Sequence, residues 1–191
     1  MFKDPFTIEM YVVISGPSGS GKSSVIKLLM ANNTNIKFSI SYTTRQKRCE
    51  EKENIDYHFV SKETFLEMVK QKRFVEYTLY NDNYYGTPFC DEHENEIIIF
   101  DLDRNGVKSL MNSGVSCLFI YIHCDVENLK ERLYKRLGNS ISQENLNDIE
   151  KRISRIEKDL EVFRKEDYDL IVENSDLYQT YKTVEEFILN K

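Results

Sequence analysis

The chain reads as an α/β protein, a parallel sheet covered by helices on both faces. Three observations carry this. MYVVI (10–14), EIIIFDLD (96–103), CLFIYI (117–122) and YDLIV (168–172) are short apolar runs rich in β-branched residues, as buried strands are. Helical periodicity lies between them, as in Leu129, Leu133 and Leu137 at i, i+4 spacing. A glycine-rich loop joins the first strand to the first helix.

Taken in order, MYVVI leads into ISGPSGSGKSS, and SSVIKLLMA (23–31) predicts a helix. IKFSISYTT (36–44) alternates apolar and polar residues and predicts one half-buried strand. TTRQKRCEEKEN (43–54) has almost nothing apolar and reads as an exposed loop. KETFLEMVKQK (62–72) predicts a helix with Phe65, Leu66 and Val69 on one face. RFVEYTLYNDNYYGT (73–87) is aromatic-rich and β-like, with NDN as its turn. After the strands at 96–103 and 117–122 come a helix at 126–137 and a polar loop or lid, GNSISQENLND. A further helix carries Ile149, Ile153, Ile156, Leu160 and Phe163, followed by the strand YDLIV and a closing helix, LYQTYKTVEEFIL. The stretch from about 41 to 90 breaks the strand–helix rhythm and reads as an inserted subdomain.

Composition narrows the function. With 191 residues, 40% apolar and 30% charged, and only three prolines, the chain suits one folded domain rather than a disordered one. A net charge of −6 and a pI near 5.2 disfavour a general nucleic-acid coat but allow a local basic cluster for a phosphorylated ligand. Cys49, Cys90, Cys117 and Cys124 show no C-x-x-C spacing, and His58, His93 and His123 form no ligand repeat. The cysteines therefore read as reduced thiols, not a zinc site or disulfide framework. No apolar run is long enough for a bilayer or a signal peptide, so the cytoplasm is the expected location.

Gly16-Pro17-Ser18-Gly19-Ser20-Gly21-Lys22-Ser23 fits G-x-x-x-x-G-K-[ST], with Ser24 following. Glycines let the backbone wrap tightly and aim its N–H groups at phosphate oxygens, and the helix N-terminus adds positive potential. Lys22 is placed to reach the β and γ phosphates, and the Ser23 hydroxyl to ligate Mg²⁺. Asp101, at the end of a second buried strand, could hold the metal through water, although any strand can end in Asp. The loop alone leaves the phosphoryl acceptor open.

The acceptor side is suggested by Ser41-Tyr42-Thr43-Thr44-Arg45-Gln46-Lys47-Arg48, where Arg45 and Arg48 stand close together in an acidic protein. Two guanidinium forks can clamp a phosphate. Tyr57, Glu76, Tyr84, Tyr85 and Thr87 supply rings, one carboxylate and hydroxyls suited to a purine. Guanine presents two adjacent donors, N1–H and the exocyclic amine, which one carboxylate accepts together; adenine presents an acceptor at N1. Glu76 with Ser41, Thr87 and Asp103 can therefore select guanine. From the residues alone, Glu76 on the solvent face of an alternating strand is an equal reading. Farther on, Arg132 and Arg136 share a helix face, and Arg152 follows the polar segment.

Along nearly its whole length the chain resembles the guanylate kinases. The matching segments, in order, are ISGPSGSGKSS, FSISYTTR with Lys47-Arg48, DYHFVS, FVEY, NYYGT, the acids of FDLD, and ENSDL. The resemblance implies a P-loop kinase core over 8–40, 94–135 and 153–191, a mixed β/α GMP-binding subdomain over 41–93 and a mobile lid over 136–152. It implies transfer of the γ-phosphoryl of ATP to GMP or dGMP, with Mg²⁺, giving GDP and ADP. Arg45, Arg48, Tyr57 and Tyr85 would hold the GMP phosphate, and Ser41, Glu76, Thr87 and Asp103 the base. ATP would be held by Gly16 through Ser24 and by Asn174, and the metal by Ser23 and, through water, Asp101. Lys22, Arg45, Arg132, Arg136 and Arg152 would be the catalytic cations.

The implied partners are small molecules, with no nucleic acid and no membrane, in a monomer or homodimer. The chain departs from the family pattern at Leu137, which separates Arg136 from Gly138, and at Glu50, Asn105 and Ser175. None of these removes a group the chemistry needs. Two other readings stand beside this one. A kinase of a different small phosphorylated acceptor would share the loop. A non-catalytic binding module would be expected to have lost it, whereas Gly16, Gly19, Gly21, Lys22 and Ser23 are all present.

Overall fold

A computed structural model describes residues 10–47, 51–80, 82–89, 96–135, 146, 149–151, 153–154 and 167–191. The chain falls into two compact units, one drawn from Met1–Val13 and Thr34–Cys117, the other from Ile14–Asn33 and Leu118–Lys191. Strand β1 (Met10–Ser15) enters both.

In the first unit, β2 (Ile36–Phe38) pairs in parallel with β7 (Ile97–Asp101), with Ile36 opposite Ile97 and Phe38 opposite Ile99. The expected single strand over 36–44 is two. The Ser39 amide donates to the Ile99 carbonyl (3.0 Å), and the chain then leaves this sheet. Tyr42–Thr43 form β3 in a separate four-stranded sheet of order β4-β3-β6-β5, with β4 (His58–Phe59), β5 (Phe74–Tyr80) and β6 (Asn83–Pro88). Alternation continues through the break, so periodicity could not mark it.

Helix α2 (Lys62–Lys70) is capped by the Ser61 hydroxyl, which accepts from the Thr64 amide at 3.2 Å. Its buried face is Phe65 and Met68, with Val69 packed beside them, and Leu66 is exposed, contrary to expectation. Residues 65, 68 and 69 form an i, i+3, i+4 stripe, from which position 66 is rotated by about 100°. Phe65 stacks on Phe74 with centroids 4.7 Å apart. The β5–β6 hairpin turns where expected, and Asp82 has φ +59°, the left-handed conformation that tight hairpin turns need.

Helix α3 (Arg104–Ser113) has no counterpart in the sequence reading. Its signals are local: Asp103 caps the N-terminus, Val107 and Leu110 make the buried stripe, and Gly114 (φ +77°) ends it.

In the second unit, β8 (Cys117–His123) pairs in parallel with β9 (Leu170–Glu173), Ile120 opposite Leu170 and His123 opposite Glu173. Helix α1 (Lys22–Asn32) buries Val25, Ile26 and Leu29 and packs against α5 (Leu177–Leu189), which buries Tyr181, Val184 and Ile188. Helix α4 (Val126–Lys135) buries Leu129 and Leu133 with Cys124 and Ile149, and Ile153 packs on this cluster. Leu137, Ile156, Leu160 and Phe163 lie outside the described residues. The larger sheet has the order β2-β7-β1-β8-β9. Among the described residues no helix is long and apolar enough to cross a membrane, and Cys117 and Cys124 are free thiols.

Candidate active site

The glycine loop lies in the second unit, between β1 and α1. A Cβ at Gly16 would overlap the carbonyl oxygen of Ile122, so only glycine fits where the loop leaves the sheet. Gly21, at φ +96°, is the N-cap of α1. A glycine loop of this shape at a helix N-terminus suits phosphate oxygens. The cations around it are bound to the loop's own backbone. Lys22 Nζ donates to the carbonyls of Gly16 (2.8 Å) and Pro17 (3.3 Å). Arg132, from α4, sends Nη1 toward the carbonyls of Gly19 (3.4 Å) and Ser20 (3.5 Å) and Nη2 to that of Asn174 (3.3 Å).

Asn174 is 2% exposed and holds the loop from below. Its Nδ2 donates to the Ser20 carbonyl (2.7 Å), and its Oδ1 accepts from the Thr180 hydroxyl (3.2 Å). Of the other predicted loop residues, Pro17 and Ser18 are half-buried, Ser20 is buried, and Ser23 and Ser24 are exposed in the first turn of α1.

The first unit carries the residues that the sequence reading assigns to the acceptor side. Phe74 pairs with Pro88 but Glu76 with Thr87, so Val75 is an extra residue, a β-bulge. The bulge re-aims the strand. Phe74 and Tyr77 both face the Phe65 ring, while Glu76 turns toward Gly106 of α3. Glu76 is consequently buried, 5% exposed, which removes the solvent-face reading. Its Oε1 accepts from the Thr87 hydroxyl at 2.7 Å, and its Oε2 is buried with no hydrogen-bond partner. Burial, reinforced by the charge of Asp103, raises the Glu76 carboxyl to about 7, the Thr87 hydrogen bond offsetting part of this. Asp103 Oδ1 accepts from the Gly106 amide (2.8 Å) at the start of α3. Ser41 directly precedes Tyr42, whose cross-strand partner Gly86 directly precedes Thr87.

Arg45, Tyr57 and Tyr85 gather nearby. The Arg45 guanidinium lies 5.6 Å from the Tyr57 centroid and 5.7 Å from that of Phe59, and the Tyr57 and Tyr85 rings meet edge to face at 6.0 Å. Burial, then the Asp101 carboxylate, pushes the Tyr57 phenol up, so it stays a donor at neutral pH. Asp101 itself ends β7, half-buried. Glu51, which sequence reasoning missed, binds Arg45 through both oxygens, Nη1–Oε2 at 3.0 Å and Nη2–Oε1 at 2.7 Å. Burial lowers the Arg45 pKa, but the Glu51 bonds and charge outweigh this and raise it. Arg48, Arg136 and Arg152 lie outside the described residues.

A parallel sheet with flanking helices and a lysine-bearing glycine cradle after its first strand define the P-loop kinase class. The comparisons name the family. The guanylate kinase family model matches residues 9–191. The guanylate kinase of Wigglesworthia glossinidia brevipalpis is 39% identical over 189 residues, covering 95% of this chain and 88% of that protein. That of Rickettsia felis is 36% identical over 185 residues, covering 94% and 93%. The crystal structure of guanylate kinase from Anaplasma phagocytophilum superposes with a TM-score of 0.71 at 25% identity, covering 96% of this chain and 86% of that one. The chain belongs to the guanylate kinase family and is an enzyme of it, a nucleotide kinase.

Proposed function

We propose that the enzyme transfers the γ-phosphoryl of ATP to GMP, and to dGMP, giving ADP and GDP. The observation that carries this reading is the buried Glu76 carboxylate, with one oxygen on Thr87 and the other without a partner. A buried acceptor of this kind asks for a donor, and the guanine edge supplies two. Ser41 and Asp103 complete the base contacts. Arg45, Arg48, Tyr57 and Tyr85 bind the GMP phosphate.

On the donor side, Gly16, Pro17, Ser18, Gly19, Ser20, Gly21, Ser23 and Ser24 wrap the ATP phosphates, and Asn174 serves ATP by fixing the loop. Lys22, released from the Gly16 and Pro17 carbonyls, meets the β and γ phosphates. The chemistry needs no covalent intermediate and no general base, because the GMP phosphate is already the nucleophile. Negative charge spreads over the moving phosphoryl, and Lys22, Arg132, Arg136 and Arg152 stabilise it, with Arg45 steadying the acceptor. The Ser23 hydroxyl and, through water, Asp101 would hold Mg²⁺, which when bound would neutralise triphosphate charge. Closure of residues 136–152 over the donor would exclude water and suppress hydrolysis. The enzyme would work in the cytoplasm as a monomer or homodimer, on small molecules alone.

The test is ADP and GDP formation from ATP and GMP by wild type and Lys22→Met. Wild type should form both products in equal amounts. Lys22→Met should lose at least about 10²-fold in kcat at an unchanged melting temperature. Full activity in that variant would remove the loop lysine from the reaction.

A further inference from the structure

We propose that Glu51 is a positioning residue for the acceptor phosphate, holding the Arg45 guanidinium by one edge so that its other edge meets that phosphate. This rests on the reading above that Arg45 binds the phosphate of GMP.

The argument is a count of donors. A guanidinium has five N–H groups in a rigid planar fork. Glu51 takes two across the Nη1–Nη2 end, at 3.0 and 2.7 Å, and the Gln46 carbonyl takes the second Nη1 hydrogen at 2.7 Å. Outside the Glu51 and Gln46 bonds are Nε–H and the second Nη2–H, and the guanidinium also hydrogen-bonds Tyr85, itself assigned above to the acceptor phosphate. Those two N–H groups lie parallel along the side of the fork, which is itself a bidentate edge with the spacing of two phosphate oxygens.

The rest of the side chain is equally constrained. The Arg45 amide donates to the Thr43 hydroxyl (3.2 Å), which donates to the Tyr84 carbonyl (3.0 Å), tying the segment to β6. The Tyr57 and Phe59 rings flank the guanidinium. The ion pair is largely enclosed, with side-chain exposures of 16% for Arg45 and 15% for Glu51, so it is not a solvated surface contact.

A carboxylate beside a phosphate-binding arginine weakens its pull on the phosphate. What it contributes is orientation. An arginine side chain loses much rotamer entropy when it is fixed on a ligand, and a partner that fixes it beforehand removes that cost from binding. Glu51 therefore acts on acceptor affinity through Arg45, without touching the nucleotide.

The experiment compares wild type, Arg45→Ala, Glu51→Gln and the double variant of the full chain. It measures KM for GMP and for ATP, kcat, the dissociation constant of guanosine, and melting temperature. Glu51→Gln keeps the shape and removes the charge. It should raise KM for GMP about tenfold, leave KM for ATP and guanosine binding unchanged, and melt with wild type. The double variant should be no worse than Arg45→Ala alone, because the two act as one unit.

A KM for GMP that is unchanged or lower in Glu51→Gln overturns the inference; a lower value makes Glu51 a competitor of the phosphate. Weakened guanosine binding, a clear drop in melting temperature or additive effects in the double variant overturn it too, by assigning Glu51 to the fold. If Arg45→Ala itself leaves KM for GMP unchanged, the reading of Arg45 fails and this inference with it. If Arg45→Ala raises KM but Glu51→Gln does not, only the Glu51 inference fails.

Discussion

The two units carry polar groups in opposite states. Around the glycine loop, Lys22, Arg132 and Asn174 are all hydrogen-bonded to the loop's own carbonyls or to Asn174 itself. Among the predicted acceptor residues, Glu76 keeps one buried oxygen without a partner, and Arg45 is held at its Nη1–Nη2 end by Glu51, with further bonds to Gln46 and Tyr85. On the proposed reading, the first arrangement trades backbone contacts for phosphate contacts when ATP binds. The second already presents a mould. On that reading, general nucleotide affinity belongs to the loop and discrimination among acceptors to the pocket, where a mismatched base would leave a buried carboxylate unsatisfied.

Substitutions in each unit test this division, beginning with the largest expected effect. Glu76→Gln should cut kcat/KM for GMP by about 10² or more, because charge-assisted hydrogen bonds contribute about 1.5–3 kcal/mol each. Its KM for ATP should not move; an equal loss on both substrates would break the division. The reciprocal change, Asn174→Ala, should raise KM for ATP several-fold and lower stability by about 1–3 kcal/mol through the bonds lost to Ser20 and Thr180. Guanosine binding should be unchanged. Weakened guanosine affinity there would show that the pocket depends on the loop strut.

The pH dependence should separate the halves next. On the proposed reading, the ionised Glu76 carboxylate is the form that accepts from guanine, and burial raises that carboxyl to about 7. Acceptor affinity should therefore be full above about pH 8 and fall as pH drops through 7, approaching about tenfold per unit below it. The phosphate of GMP also titrates near 6, so guanosine is the cleaner ligand. Its affinity should show this limb in wild type and a flat profile in Glu76→Gln. A limb that survives in the variant assigns the titration elsewhere.

The smallest effect is expected at Gly106. A Cβ there would stand 3.2 Å from Glu76 Oε2 and 3.3 Å from Leu102 Cβ, both on buried side chains. Gly106→Ala should raise KM for GMP a few-fold while the melting temperature holds or rises, since alanine favours a helix over glycine by about 1 kcal/mol. A fall in stability with unchanged KM would mean that Leu102, not Glu76, meets the new methyl.

How much of this was legible in the sequence follows from how local each signal is. The loop motif, the strand before it, the helix after it and the NDN turn each sit in a few adjacent residues, and the structure keeps them. The capping Asp103 and the terminating Gly114 of α3 were equally local and went unread. The split of 36–44 into strands of two sheets depends on partners some sixty and forty residues away, Ile97–Ile99 and Tyr85–Gly86. The burial of Glu76 depends on a bulge that no periodicity marks. Glu51 reads in the sequence as one more charge in an exposed polar loop, and only the fold puts Arg45 on both its oxygens.

The central claim is that a carboxylate in the pocket selects guanine. It is tested most directly by kcat/KM for GMP, dGMP, AMP, CMP and UMP with saturating ATP at pH 8. GMP and dGMP should exceed AMP by at least about 10²-fold, with the pyrimidines lower still. AMP turned over as well as GMP would contradict the account.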